Sequence, residues 1–331
     1  MKRAPFLNGR LWRAIFLAAA AVALATITPP GPVPSAGPPA AAPLETAAVP
    51  LHAEDRERRQ VGALRFRRGW DLDSPEPRFG GISAIQVENG QVTAISDAGV
   101  LMFFALPPDR PPHSLRVRPL TMGAADAKSD RDTESMLLDG NHAWVGFERQ
   151  NAVARFRRSD WRLESRAQPR AMRRWRGNSG AEGMVRLPDG RFLIFSEGED
   201  DEQAFSNVAL FDGDPAQPGT RAVALRYRRV PGYRVTDAAL LPDRRLLVLN
   251  RRFGPLEGIS ASLVIVPLEG LRPGATLQGR EIARLSPPIA VDNMEALSVT
   301  REGGQTIVRI ASDDNFMALQ RTLLLEFELV E

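Results

Sequence analysis

The sequence predicts an all-β protein whose folded part is a single β-propeller of five blades. From Val61 onward, short β-rich runs alternate with turn dipeptides, and almost no 3.6-residue periodicity is sustained. One unit recurs five times, and consists of an apolar strand, a turn, a second apolar strand and an acidic residue. The units start at Gly81, Glu134, Glu182, Asp237 and Glu295. A period near 50 residues is typical of propeller blades. A sixth blade between Phe205 and Val235 is the alternative.

Ring closure is expected to join the two ends of the folded part. The last unit shows only three strands and ends in the apolar run that starts at Thr322. An open ring would leave two sheet edges exposed, so a strand from the other end of the chain is needed. The run Val61–Phe66 is the candidate for that strand.

The first 25 residues are predicted to be a signal peptide. Four basic residues precede an apolar run, Ala14–Ala25, which ends in the small-x-small pattern Ala23-Leu24-Ala25. The run is too short for an ordinary membrane span, which needs about 20 apolar residues. We therefore expect a periplasmic or secreted protein with no membrane span after cleavage, and the alternative is an uncleaved N-terminal membrane anchor.

Residues 26–60 are predicted to be a disordered spacer, and residues 61–331 to be the propeller domain. Eight prolines lie between positions 28 and 50, among Ala, Gly and Thr residues. Such a segment has few branched apolar side chains to pack and too much proline for a regular helix or sheet.

Composition excludes several classes of function. The formal charge of +3 comes from the leader, because the rest of the chain has 39 bases and 40 acids, so nucleic acid is not an expected partner. No cysteine is present, which excludes disulfides, thiolate metal sites and cysteine nucleophiles. Three histidines and the absence of a G-x-S-x-G motif give little support to serine hydrolase chemistry.

Acidic residues are predicted to meet at one end of the propeller. Residues equidistant from a hairpin turn face each other in an antiparallel pair, and this pairs Gly81 with Asp97 and Glu134 with Glu148. The same arithmetic pairs Glu182 with Glu197, Asp237 with Asn250 and Glu295 with Asp313. A ring of carboxylates favours a hard cation such as calcium, whose predicted ligands are Asp97, Glu134, Glu148, Glu182, Glu197, Asp237, Glu295 and Asp313. The alternative is that these acids cap backbone N–H groups at the hairpin ends.

Positive groups adjoin the same end of the hairpins. Arg149, Arg251 and Arg252, with Asn315, are predicted to bind an anionic substrate, because an arginine fork matches phosphate or carboxylate. Simple ion pairing with the acids is the alternative. The acidic run Glu197–Glu202 is interpreted as a solvated turn rather than as a calcium loop, because it lacks the EF-hand spacing.

Several of these motifs resemble those of a known family. They include Gly80-Gly-Ile-Ser, Asp132-Thr-Glu-Ser, Gly180-Ala-Glu-Gly-Met, Asn293-Met-Glu-Ala-Leu and Ser312-Asp-Asp-Asn-Phe316 with Gln320-Arg-Thr322. Over residues 78–329 the chain resembles the phytase-like family of exported bacterial proteins, also described as having the esterase-like activity of phytase. The resemblance implies a β-propeller that hydrolyses ester or phosphoester bonds, as calcium-dependent propeller phytases do. Ser135 and Ala296 replace a usual glycine, and Asn250 replaces a common glutamate, which weakens any metal site in that blade.

Two functions follow from these observations. The first is an exported, calcium-assisted hydrolase of a phosphomonoester or another anionic ester, with Glu182, Glu295 and Asp313 as candidate catalytic carboxylates. The alternative is a non-catalytic propeller that binds a ligand or an envelope partner at the same place. In either case we expect a monomer.

Overall fold

The structure is a computed structural model that describes residues 37–107, 113–122, 132–176, 179–198, 204–254, 258–317 and 319–331. The predicted signal peptide and the start of the predicted spacer lie outside these residues. The regular elements of the described residues are 24 β-strands. No helix in this part of the chain is long and apolar enough to cross a membrane.

The strands follow one another in blades. The N-terminal strands are β1 (Ala40–Pro43), β2 (Glu45–Ala48), β3 (Gln60–Val61) and β4 (Leu64–Asp73). Blade 1 contains β5 (Ile82–Glu88), β6 (Gln91–Ser96), β7 (Val100–Ala105) and β8 (Ser114–Pro119). Blade 2 contains β9 (Thr133–Asp139), β10 (His142–Phe147), β11 (Ala152–Arg157) and β12 (Arg162–Ala167).

The remaining blades repeat this order. Blade 3 contains β13 (Gly183–Arg186), β14 (Phe192–Phe195), β15 (Phe205–Phe211) and β16 (Ala222–Arg228). The next strands are β17 (Arg234–Leu240), β18 (Leu246–Gly254), β19 (Gly258–Val266), β20 (Thr276–Leu277) and β21 (Arg280–Leu285), and all but β20 form blade 4. Blade 5 contains β22 (Met294–Glu302), β23 (Gln305–Ser312), β24 (Thr322–Leu329) and the N-terminal β4.

The five antiparallel blades form a closed ring, so the predicted five-bladed propeller is confirmed. Each innermost strand contacts the next around the ring, in the order β5, β9, β13, β17, β22 and back to β5. The region considered for a sixth blade instead forms β15 and β16, the outer strands of blade 3. Apolar side chains buried between the blade faces, such as Phe156, Phe195 and Phe327, form the core.

The two ends of the chain close the ring, as the sequence indicates. In blade 5, β24 pairs with β4 from Thr322 opposite Leu72 to Leu329 opposite Leu64. The predicted position of the closing strand is wrong by several residues, because Val61 belongs to β3, which folds back onto β4. The apolar alternation that favours a strand continues past Phe66 into the buried Trp70 and Leu72.

The predicted disordered spacer is wrong for residues 40–48. Strand β1 pairs with β8 at the outer edge of blade 1, and β2 pairs with β4 at the outer edge of blade 5. Leu44 and Leu51, which are 3% and 1% exposed, anchor this segment to the core. Pro43 is tolerated because an edge strand can lack one N–H donor. The folded part therefore begins well before Val61.

Hydroxyl groups link neighbouring innermost strands where those strands begin. Ser135 Oγ donates to the carbonyl oxygen of Ala181 at 2.6 Å, and Thr236 Oγ1 donates to that of Met294 at 3.1 Å. All five innermost strands begin at this end of the central channel, which we call the mouth.

Candidate functional site

β-Bulges shape the start of the innermost strands. In blades 2 and 5 the register skips Glu134 and Glu295, so each of these acids is the extra residue of a bulge. A bulge leaves one residue unpaired and re-aims its side chain. The bulges therefore turn both carboxylates out of the ordinary alternation of their strands.

The predicted hairpin register is correct in blade 1 only. The N–H of Asp97 donates to the carbonyl oxygen of Gly81 at 3.0 Å, as predicted. In blade 2, Glu148 instead pairs with Asp132, with its N–H 2.9 Å from the Asp132 carbonyl oxygen. Blades 3, 4 and 5 are also shifted: the opposed residues are Gly183 and Phe195, Val235 and Asn250, and Met294 and Ser312. In these four blades the observed pairs beside the turn, such as Arg186 with Phe192 in blade 3, are centred half a residue before the predicted turn centre, and bulges in blades 2, 4 and 5 shift the pairing by a further residue.

Carboxylates of blades 1 and 2 converge at the mouth. One oxygen from each of Asp132, Glu134 and Glu148 lies within 4.8 Å of the others. Asp97 interacts electrostatically with Asp132, and its buried Oδ1 has no hydrogen-bond partner among the described residues. We call Asp97, Asp132, Glu134 and Glu148 the acidic cluster.

The pKa values in the acidic cluster are raised. Burial, together with Asp132 and Asp314, raises the pKa of Asp97 to about 6. Burial and the nearby Asp132 and Glu197 raise the pKa of Glu148 to about 7. Burial and four surrounding carboxylates raise the pKa of Glu134 well above its usual range. The cluster therefore resists carrying its full negative charge unless a cation joins it.

An arginine balances the charge on the other side of the mouth. Arg251 Nη1 lies 2.9 Å from Glu295 Oε1, and its Nη2 lies 3.3 Å from Glu197 Oε1. Arg251 also donates to Asn293 Oδ1, while Arg234 Nη1 lies 3.0 Å from Glu197 Oε2. Burial alone would lower the pKa of Arg251, but the surrounding carboxylates raise it. We call Arg234, Arg251, Glu197, Glu295 and Asn293 the arginine cluster.

Two further predicted catalytic acids interact electrostatically with both clusters. Glu182 and Asp313 are buried, and burial with neighbouring carboxylates raises both pKa values well above their usual range. Glu182 interacts with Glu148 of the acidic cluster and with Glu197 of the arginine cluster. For the third predicted catalytic acid, Glu295, burial raises the pKa to about 7 although Arg251 opposes the shift.

Other predicted residues have structural contacts. Asp237 accepts hydrogen bonds from the N–H groups of Ala238 at 2.7 Å and Leu297 at 2.8 Å, which is the capping alternative. Asn250 is fully buried, and its Nδ2 donates to carbonyl oxygens of β18 and β19. Asn315 lies in a turn at φ 50°, where its N–H donates to Asp313 Oδ1 and its Nδ2 to Gln320 Oε1.

The predicted substrate-binding arginines occupy different surroundings. Arg149 is exposed at the mouth, with 65% of its side chain accessible, and its Nε lies 2.7 Å from Asp132 Oδ2. Arg251 forms ion pairs with Glu197 and Glu295, and such pairing was the alternative to substrate binding. Arg252 follows Arg251 on the opposite face of β18. Its side chain lies beside Gly232: a Cβ added to that glycine would be 3.4 Å from Arg252 Nε.

Sequence reasoning did not select Asp132, Asn293 or Arg234 for the site. Asp132 and Asn293 each lie two residues before a bulged glutamate, Glu134 and Glu295. An alignment of the repeats at Glu134 and Glu295 would therefore have placed Asp132 and Asn293 at equivalent positions and identified them as site candidates. Of the acidic run Glu197–Glu202, Glu197 belongs to the arginine cluster, and residues 199–202 lie outside the described residues.

Without a bound cation, the protein should lose stability as the pH rises from about 4 to 8. The pKa of Asp97 rises from 3.8 to about 6 on folding, and that of Glu148 from 4.5 to about 7. A carboxyl with a raised folded pKa contributes stability below its unfolded pKa and loses it as the pH passes the folded value. Thermal melting in chelator from pH 5 to pH 8 should show a falling Tm and a shallower slope in Glu148→Gln. A Tm that is flat or rises across this range would contradict the assignment.

The fold and this site define a five-bladed β-propeller with a carboxylate-lined mouth. The family model "Phytase-like: Esterase-like activity of phytase" matches residues 77–316. The chain belongs to this phytase-like family. No curated protein matches the chain in sequence.

Three solved structures are similar in fold. Myxococcus xanthus glutaminyl cyclase has 10% identity and a TM-score of 0.47, covering 81% of this chain and 97% of its own. A luciferin-regenerating enzyme has 10% identity and a TM-score of 0.42, with coverages of 86% and 98%. The β-propeller domain of Myceliophteria thermophila Cps50 (Swd1) has 8% identity and a TM-score of 0.39, with coverages of 88% and 100%.

Proposed function

We propose that the protein hydrolyses a phosphomonoester or another anionic ester at the mouth, with a calcium ion in the acidic cluster. The convergence of the Asp132, Glu134 and Glu148 oxygens within 4.8 Å carries this proposal. The family described by esterase-like activity supports the reaction class. The alternative function, binding without catalysis, is an outcome of the experiment below.

The residues present fit a calcium ion. Every side chain of the acidic cluster offers carboxylate oxygens, the ligand type that calcium prefers. Asp97 Oδ1 is buried and accepts no hydrogen bond from the part of the chain that the structure describes, as expected of a metal-ligand oxygen. Asp132, Glu134 and Glu148 would hold the ion, with Asp97 beside them. When bound, calcium supplies positive charge that polarises an ester oxygen.

The chain's own groups provide the remaining requirements of ester hydrolysis. Arg149 is exposed beside Asp132, where its guanidinium can contact an anionic group of the substrate. Glu182 has a raised pKa and interacts with both clusters, so we assign it the proton transfer, with Glu295 and Asp313 as further candidates. Arg251 holds Glu197 and Glu295 in place through its ion pairs.

A substrate panel with a stability measurement tests this function. The purified protein should hydrolyse aromatic phosphomonoesters or short-chain carboxylic esters in calcium, and chelator should abolish the activity. Calcium should also raise the Tm by mass action, about 2.7 kcal/mol of stabilisation at 100 times the Kd. Stabilisation by calcium without turnover on either class would replace the hydrolase with a ligand-binding propeller. No response to millimolar calcium would remove the metal from the proposal.

The place of action is proposed to be the periplasm or the extracellular medium. This rests on the basic start, the apolar run and the Ala23-Leu24-Ala25 pattern of the first 25 residues. Fractionation of expressing cells, with mass measurement of the mature N-terminus, separates a cleaved signal peptide from a retained anchor. A full-length chain in the cytoplasmic fraction would contradict export.

A further inference from the structure

Blade 2 differs from the other blades at its outer edge. Extra strands extend three blades: β1 pairs with β8, β20 with β16, and β2 with β4. In blade 4, the segment after β3 reaches β21, where the N–H of Ala63 donates to the carbonyl oxygen of Ile282. In the part of the chain that the structure describes, no strand pairs with the outer side of β12. An uncovered edge offers main-chain donors and acceptors to an added strand.

A basic groove continues from the end of this edge strand. The groove lies between blades 2 and 3 and has a volume of about 1260 Å³. Exposed arginines at positions 166, 170, 173 and 221 line it, and no carboxylate does. None of these four forms an ion pair within the described residues. The groove therefore presents positive charge that no acid of the described residues neutralises.

The remaining surfaces of the groove suit an extended chain. Ala167 and Pro218 line the groove with apolar surface that is accessible to a docked chain, and the buried Pro169 and Phe211 lie beneath. Glu164, the one acid of β12, is already paired with Arg155 at 3.2 Å and His142 at 3.3 Å. Ser165 Oγ donates to the carbonyl oxygen of Ala216 at 2.6 Å and holds β12 against blade 3. The edge is thus rigidly placed beside the groove.

We propose that the outer edge of β12 and the basic groove bind an extended acidic segment of a partner protein. The segment adds as a fifth strand to blade 2, with its backbone bonded to β12. Its carboxylates contact Arg166, Arg170 and Arg173, since arginine forks match carboxylates bidentately. The surface does not include the residues of the mouth, so its occupancy does not depend on the proposed hydrolase.

A peptide of eight alternating Glu and Val residues, labelled with fluorescein, is the probe for this surface. Fluorescence anisotropy with the full chain should show saturable binding that weakens as salt increases. The double variant Arg170→Glu and Arg173→Glu should bind at least about tenfold more weakly, a change of 1.4 kcal/mol. Arg272→Glu, the reversal of one exposed arginine elsewhere, should bind as the parent does, and Arg170→Glu alone is the single reversal to compare with it.

Two further measurements separate strand addition from other occupants. The same peptide with alternate backbone amides N-methylated keeps its charge but loses the donors of a strand, and it should not bind. Equal binding of both peptides would overturn the proposal in favour of an ionic patch. Absence of peptide binding up to millimolar concentration would also overturn it. Concentration-dependent dimerisation that is abolished in the Arg170→Glu and Arg173→Glu variant would likewise overturn the proposal, because the occupant would then be a second copy of the chain.

Discussion

Replacing Glu326 by Gln is expected to lower the free energy of unfolding by about 3–5 kcal/mol, because it breaks a buried ion pair. Glu326 Oε2 lies 2.7 Å from Arg309 Nη2, and both side chains are at most 3% exposed. Glu326 Oε1 also accepts from Arg68 Nε at 2.9 Å. The glutamate thus joins β23, β24 and β4, the three strands at the closure of the ring. The buried Arg309 would then keep only the partly exposed Glu302, 2.8 Å from its Nη2, as a carboxylate partner.

Glu328→Gln provides the matched control on the same strand. Glu328 pairs with Arg65 at 2.5 Å, but more than half of the Arg65 side chain is exposed. Exposed ion pairs contribute little to stability, so this variant should melt close to the parent. Chemical denaturation should show the large loss for Glu326→Gln alone, with a fall in Tm on the order of 5–10 °C. Equal midpoints for the two variants would mean that the pair is not important for closure.

Replacing Glu134 by Gln should have opposite effects on stability with and without calcium. In chelator at pH 8 the variant should melt above the parent, because it removes one of the carboxylates that repel each other in the acidic cluster. In calcium it should melt below the parent, and the calcium concentration needed for stabilisation should rise at least about 100-fold. Hydrolysis should fall by at least a similar factor, mainly in kcat.

Asp237→Asn is the control that distinguishes a ligand from a cap. Both Asp237 oxygens accept backbone N–H groups, so the amide loses one acceptor and should be less stable with or without calcium. Its calcium response should remain that of the parent. If Glu134→Gln also loses stability in chelator and keeps its calcium response, Glu134 is a structural residue and the proposed metal site fails.

The blade number and the closure could be predicted because they depend on repeats. Each blade repeats the same short-range pattern of strands and turns, from Gly81 to Glu295, and this pattern survives in the sequence without any knowledge of tertiary contacts. The gathering of acids at one end followed from the same repeat. By contrast, the predicted spacer was wrong for β1 and β2, because four-residue edge strands carry little periodicity of their own.

The exact neighbours of each acid depended on contacts that local pattern does not contain. A bulge at Glu134 or Glu295 shifts the pairing by one residue, and side-chain alternation has a period of only two. Equal spacing also depends on the exact centre of the turn, which the sequence placed half a residue too far along in blades 2 to 5, so the predicted pairs were wrong in those four hairpins.

The sequence by itself determined the all-β class, the five repeats, the joining of the chain ends and the acidic character of the mouth. Only the tertiary structure decided which acids Arg251 neutralises and which remain together in the acidic cluster. Arg251 meets Glu197 and Glu295 across three different blades, at separations of tens of residues. Such pairings depend on how the blades pack around the channel, whereas the repeat that forms each blade is encoded within about 50 residues of contiguous chain.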